Sequence, residues 1–396
     1  MAGRISVREV DRLLKENLQL APAIDCPLNK SAGRVLRENL VADRDLPPYD
    51  RIMMDGYAVR GAELNQGAIR IKGQLVAGEP HRELDGEPGS ALEVMTGAIL
   101  PKGVDTVIPY EDTVRDGDRL TLCAKARTGQ FVHRKGSDFR AGAILVQMGS
   151  IMRAVEAGIA ASCGYATVQV SQRPRITVFG TGDELVEVGA RPAPHQVRRS
   201  NPSAIEHALA MASFHAGRIG HLLDNPQKEE ERLRDTMNNS DLVIISGAVS
   251  KGKLDWIPAA LDRSGTRIFH GVAQKPGGPM GLWITDSGCR VFALPGNPVS
   301  TLAGTFRYVI PYLRLQQGSR ERAARKVILS QDFTTNGNLT FFLPVVLDPA
   351  GRALPRPVNN SGDFARLAGT DGFAELPEGS TQWPAGSAVD FYPWKT

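Results

Sequence analysis

A chain of 396 residues supplies material for about two to four domains, and its 42% apolar and 23% charged residues are ordinary for a globular protein. A net charge of +4 gives no grounds for a nucleic-acid partner, and local cations such as Arg198 and Arg199 read as a solvated face. The four cysteines (Cys26, Cys123, Cys163, Cys289) share no C-x-x-C spacing, which argues against a zinc site and a disulfide framework.

The N-terminal stretch "MAGRISVREVDRLLKENL" lacks the apolar core of a signal peptide, and no apolar run reaches about 18 residues. A cytoplasmic protein with no membrane contact is expected. Ser6 and Glu9 form a capping box for a first helix, with Val7, Val10, Leu13, Leu14 and Leu18 at helical spacing. From about Leu46 to Phe131 the runs "AIRIKGQLV", "TVIPYEDTV" and "RLTLCAKA", separated by Gly, Pro and Asp, predict a small β domain packed by Met53, Met54 and Tyr57. A helix from about Met152 to Ser162 follows, so this β segment reads as an insertion in a helical region.

From about Arg175 to Leu315 strands and helices alternate. "RITVFGTGDEL", "RIGHLLDNP", "DLVIISGAVSKG" and "CRVFALPGNP" are strands; "SAIEHALAMA", "QKEEERLRDTMNN", "DWIPAALDRSG" and "STLAGTFRYVIPYLRLQ" are helices. That rhythm predicts a parallel, doubly wound sheet. After about Arg320 short strands and turns return, as a second small β domain.

Ligands of such sheets bind beyond the carboxyl ends of the strands, where small turns admit a ligand to the backbone and helix N-termini attract oxyanions. The four strand ends here offer Asp183, Glu184, Asp224, Ser250, Lys251, Lys253, Asp255 and Asn297. Carboxylates beside an anion site imply bound Mg²⁺, a hydroxyl-rich ligand, or both. The stretch from Gly247 to Lys253 spells G-x-x-x-x-G-K, but Leu254 stands where a P-loop needs a hydroxyl to ligate Mg²⁺, so a P-loop nucleotidase is disfavoured. No G-x-G-x-x-G follows a strand, which disfavours a dinucleotide enzyme. Asp55-Gly56 and Thr96-Gly97 are polar turns in the β insertion.

The motifs "MDGYAV", "MTGAILPKGVDTVI", "RKGSD", "GTGDEL", "SGAVSKGKLD", "KPGGP" and "LPGNPVS", in that order, resemble the molybdopterin molybdenumtransferase (MoeA) family and the related E domain of gephyrin. The resemblance implies a multidomain α/β fold. A helical linker region (1–45 plus 136–172) would carry an inserted β domain (46–135). A molybdopterin-binding, doubly wound α/β domain (173–318) and a β-barrel-like C-terminal domain (319–396) would follow. It implies a homodimer that inserts molybdenum from molybdate into adenylated molybdopterin, releasing AMP with Mg²⁺ as cofactor, and other proteins of molybdenum cofactor biosynthesis as partners.

By the same resemblance Asp55, Asp138, Glu184, Asp224 and Asp255 are the important acids, with Glu184 and Asp224 on the metal. Substrate contacts fall on Thr96, Arg134, Gly182, Asp183, Gly247, Ser250, Lys275, Pro276, Pro295, Gly296, Asn297, Pro298 and Ser300. Asp55 and Thr96 would face the partner subunit's α/β domain. The chain departs from the family pattern at several points. His133 stands where Arg is frequent, Ala248 takes the second glycine of the central loop, and Gly271 and Gly278 stand where Lys is frequent. Ile52 and Met53 stand where Ser-Ala is common. The missing cations leave two alternatives: a non-catalytic molybdopterin-binding or scaffold paralogue, and an insertase that prefers tungstate.

Overall fold

The computed structural model describes residues 3–65, 67–84, 86–249, 256–320 and 324–395. The first helix, Val7–Glu16, starts where expected, with Ser6 Oγ accepting the Glu9 N–H at 3.1 Å. Only half of the capping box forms, because the Glu9 carboxylate turns outward to accept from Arg12. Val7, Val10 and Leu14 are buried against Ile176, Ile205 and Tyr312, so this helix completes the core of the α/β domain.

The linker region is closed by two antiparallel pairings across the insertion, Ala23–Pro27 with Thr167–Ser171 and Leu40–Val41 with Ile144–Val146. Between them lies a six-stranded sheet in the spatial order Thr106–Pro109, Gly56–Val59, Ser90–Val94, Ile69–Leu75, Arg119–Leu122, Thr113–Asp116. Strand alternation divides its core. Ala58, Leu92 and Val94 pack with Ile52 and Leu75, while Tyr57, Val59 and Ala91 pack with Ile108 and Leu120. Tyr57 is buried as expected, but Met53 is half-exposed at 50%, since its neighbour Ile52 takes the inward position.

The central sheet runs Ala216–Leu222, Ile176–Thr181, Leu242–Ser246, Arg290–Leu294, Gly281–Thr285, Gly265–His270. The first four strands are parallel, and the three innermost of them are buried along their whole length. That is the signature of a sheet covered on both faces. Val178, Ile244 and Phe292 meet Ile205 and Leu209 of helix Ser200–Met211 on one face. Phe179, Ile245 and Val291 meet Leu233, Met237, Ile257 and Leu261 on the other. Two antiparallel strands, Gly281–Thr285 and Gly265–His270, extend one edge. The alternating strand–helix pattern did not anticipate them, because a hairpin without an intervening helix breaks that rhythm.

From the second strand position the chain crosses to both neighbours, to Ala216–Leu222 on one side and Leu242–Ser246 on the other. The crevice between the ends of Ile176–Thr181 and Leu242–Ser246 is therefore the topological switch point. The last helix is interrupted: Pro298–Gly304 and Ile310–Gln316 are joined by a π-helical turn, Thr305–Val309. The C-terminal domain is a sheet of Thr340–Leu347, Gly372–Leu376, Ala388–Pro393 and Arg325–Ile328, with Ala353–Pro355 beside the first. Gln274–Lys275, from the central domain, joins this sheet in parallel with Thr340 and Phe341. All four cysteines are free. Among the described residues no helix is long and apolar enough to cross a membrane.

Candidate functional site

A cleft of about 1080 Å³ opens at the carboxyl edge of the central sheet, at the switch point. It is walled on the far side by Phe341, Phe342, Asn359, Asn360 and Ser361 of the C-terminal domain. Among the expected residues, Gly182, Glu184, Asp224, Gly247, Lys275, Pro276, Pro295, Gly296, Asn297, Pro298 and Ser300 all line it. Ser250 and Asp255, with Lys251 and Lys253, lie outside the described residues.

Local sequence explains why these strand ends leave an open floor. Gly247 has φ +106° and sits against Thr181 Oγ1, so neither its conformation nor its surroundings admit a side chain. Gly182 has φ +129°, and the Glu184 carboxylate occupies the space where a Cβ would project. Asp183 and Asp224 lock the first two strand ends reciprocally. Asp183 Oδ1 accepts the Asp224 N–H at 3.0 Å, and Asp224 Oδ2 accepts the Asp183 N–H at 3.4 Å. Asp183 is thereby a brace for the turn and does not line the cleft, whereas Glu184 and Asp224 both reach it.

Asn201 is a residue the motif reading passed over. Its side-chain amide donates to Ser246 Oγ at 2.8 Å and to the Gly296 carbonyl at 2.6 Å, tying together two of the loops. Ser246 Oγ also contacts Thr301 Oγ1 at 3.1 Å, and Asn297 donates to Ser361 Oγ at 2.8 Å, which joins the "LPGNP" loop to the C-terminal domain. Asn201 is the second residue of helix Ser200–Met211, so a polar residue in the first turn after a strand was the available signal.

The donor set suits a hard cation. Among the described residues no group of three or more His, Cys, Asp and Glu side chains gathers to hold a metal. Mg²⁺ is typically bound through one or two carboxylates, with water and substrate phosphates completing the shell. Glu184 and Asp224, at the ends of adjacent strands, supply that number.

Asp55, Thr96, Arg134 and Asp138 do not line this cleft; they lie on the inserted domain and the linker. Asp55 Oδ1 accepts from the Thr96 N–H at 2.6 Å and from Thr96 Oγ1 at 2.7 Å. The Thr96 backbone and hydroxyl donors together hold the Asp55 carboxyl below its usual range. Arg134 pairs with Asp50 at 2.7 Å. His133 Nε2 lies 2.8 Å from Asp138 Oδ1, while its Nδ1 lies 3.2 Å from an Arg51 guanidinium nitrogen. A guanidinium can only donate, so Nδ1 accepts and Nε2–H points at Asp138.

The fold and the cleft define a multidomain α/β protein built to take a ligand at a parallel-sheet edge, under a C-terminal β domain. Residues 5–164 match the MoeA N-terminal region (domain I and II), 177–315 the probable molybdopterin binding domain, and 326–394 the MoeA C-terminal region (domain IV). The chain is 40% identical over 374 residues to the molybdopterin molybdenumtransferase of Synechocystis sp., covering 92% of this chain and 93% of that protein. It is 30% identical over 400 residues to the protein of that name from Staphylococcus epidermidis, covering 98% and 94%. The crystal structure of a molybdopterin biosynthesis MoeA protein from Pyrococcus horikoshii superposes with a TM-score of 0.83 at 26% identity, covering 98% of this chain and 100% of that one. The chain belongs to the MoeA family, a family of enzymes.

Proposed function

We propose that this protein is the molybdenum-inserting enzyme of molybdenum cofactor biosynthesis, acting on adenylated molybdopterin and molybdate and releasing AMP. One observation carries the reading: the switch-point cleft presents two carboxylates and a lysine with no acid partner among the described residues to the same open space, over a glycine floor. A ligand that is both phosphorylated and metal-bound needs that combination.

Lys275 and the backbone N–H groups after the strand ends would hold the phosphates. Asn297 and Ser361, joined to each other, would orient the pterin end against the C-terminal domain. Glu184 and Asp224 would hold Mg²⁺, which when bound offsets the phosphate charge. The sulfurs that receive molybdenum belong to the substrate, so no cysteine of the chain is required. Asp55 and Thr96, held rigidly together, would complete the cleft of a partner subunit in a homodimer working in the cytoplasm.

The experiment is to incubate purified protein with adenylated molybdopterin, Mg²⁺ and molybdate, and to follow AMP and active cofactor. Equimolar release of both is expected, and E184Q or D224N should lower the rate by at least about a hundredfold. Tight binding of the pterin without turnover would replace this reading with a scaffold. Tungstate added as competitor measures the oxyanion preference.

A further inference from the structure

The loop that borders the cleft after strand Gly265–His270 carries glycine at positions 271 and 278, so neither position contributes a basic side chain. The reason for Gly278 is not backbone conformation, because it is absent from the residues with positive φ. The space beside it is taken. A Cβ at position 278 would lie 3.2 Å from Arg4 Nη1 and 3.3 Å from Arg4 Cζ. At Gly271 the φ of +98° requires glycine, and Arg4 Cγ lies 3.5 Å from its Cβ position.

Arg4 comes from the N-terminal arm, which is laid across this loop by backbone hydrogen bonds. Ile5 N donates to Gly271 O at 3.1 Å, and Ala273 N donates to Ile5 O at 2.7 Å. Arg4 lines the cleft, and no hydrogen bond or ion pair within the described residues occupies its guanidinium. The other cations there differ: Arg199 pairs with Glu187 at 2.9 Å, and Arg198 donates to the Ala190 carbonyl. Lys275, close to Gly278 in the chain, sits over the Phe341 ring and has no acid partner among the described residues.

The sheet order sets these charges apart. Strand Gly265–His270 runs in the same direction as Arg290–Leu294, because Gly281–Thr285 is antiparallel to both, so His270 ends at the cleft edge. The loop carrying Lys275 and Gly278 follows that strand, the last in the sheet. Glu184 and Asp224 follow the first two. Among the described residues, both acids that line the cleft therefore follow the first two strands, with Arg198 and Arg199 already partnered near them, while Arg4 and Lys275 stand at the opposite end.

We infer that Arg4 is a substrate-binding residue that takes a tetrahedral oxyanion and supplies from the N-terminal arm the positive charge absent at Gly271 and Gly278. A guanidinium is suited to that task, since its planar fork matches two oxygens of a phosphate or molybdate. The inference rests on the proposed function and names a residue of that same site. The oxyanion has two sources, a phosphate of the pterin substrate or molybdate itself.

The test compares wild type with R4M, which keeps the aliphatic stem, and with G278K and R4M/G278K. R4M is expected to raise KM for one of the two substrates about ten- to a hundredfold, with kcat within about threefold. The substrate whose KM moves identifies the source. R4M/G278K is expected to recover most of the loss, because lysine then enters the space Arg4 vacates. Wild-type KM values for both substrates in R4M, with wild-type turnover intact, would overturn the inference and leave the proposed function standing. Should wild type not turn over, the proposed function fails. Calorimetric titration with inorganic pyrophosphate and with molybdate then decides the inference. Weaker binding by R4M supports it; equal binding, or none by wild type, overturns it. The arm is held through backbone groups, so R4M is expected to keep the fold, and thermal melts of R4M matching wild type are the control.

Discussion

At the scale of single residues, two positions show how the chain's own choices set local energetics. Ala248 has φ +50°, the left-handed region, directly after Gly247 in the central loop. A side chain there costs about 1–2 kcal/mol, against about 0.8 kcal/mol for the partly buried methyl it contributes. A248G is therefore expected to raise stability by a few tenths to about 1 kcal/mol, read from the urea midpoint at unchanged m-value. Asp55 is held below its usual range by the Thr96 backbone and hydroxyl donors. A depressed carboxyl adds stability above its unfolded pKa and loses it as pH falls through the folded value, in the window below about pH 4. T96V removes the hydroxyl donor, so the Asp55 titration should move upward toward the ordinary value while the backbone bond remains. Carboxyl-carbon NMR of both proteins measures that shift; an unmoved Asp55 would refute the assignment.

At the scale of elements, the π-helical turn Thr305–Val309 carries the join between domains. Arg307 within it is nearly buried, and it reaches Asp11 of the first helix through two bonds of 2.8 Å and Glu375 of the C-terminal sheet at 2.6 Å. Its guanidinium also lies 4.9 Å from the Tyr308 ring and 5.0 Å from that of Tyr392. Burial works against the charged form, and the Asp11 bond with Glu375 overcomes it, holding the Arg307 pKa well above its usual range. One side chain thus fastens three elements distant in sequence. R307M leaves Glu375 buried without its partner and is expected to cost about 3–5 kcal/mol by denaturant unfolding. The apolar spacing of the first helix was legible in the sequence, but its destination was not. Val7, Val10 and Leu14 specify a buried face without naming what buries it, and Asp11 gives no hint of an arginine 296 positions on.

At the scale of the molecule, the expected site residues fall into two groups that one chain keeps apart: the cleft set around Glu184 and Asp224, and the inserted-domain set of Asp55, Thr96, Arg134 and Asp138. If Asp55 serves a partner's cleft, D55A and E184A are each inactive alone, while their co-expressed mixture regains activity. Random pairing puts about half of the dimers in the mixed form with one intact site of two, so about a quarter of wild-type activity is expected. No recovery would place Asp55 in its own subunit's chemistry.

In "SGAVSKGKLD" the sequence alone disfavours a P-loop, because Leu254 lacks the hydroxyl that would ligate Mg²⁺. The sequence determined the strand–helix alternation of the central domain, because continuous apolar runs bounded by small turns have few ways to be buried. It also determined the chemistry at the strand ends. Four turns rich in Gly, Asp and Asn mark the edge of a parallel sheet wherever that sheet lies. What it left open were partnerships between residues far apart in the chain. Asp183 braces the turn at Asp224, and Asn201, which no motif singled out, ties two strand ends. Gly278 looked like a lost cation, and only the tertiary structure put Arg4 in its space. Such pairings depend on which loops the folded sheet brings within a few ångströms, and local pattern carries no record of that distance.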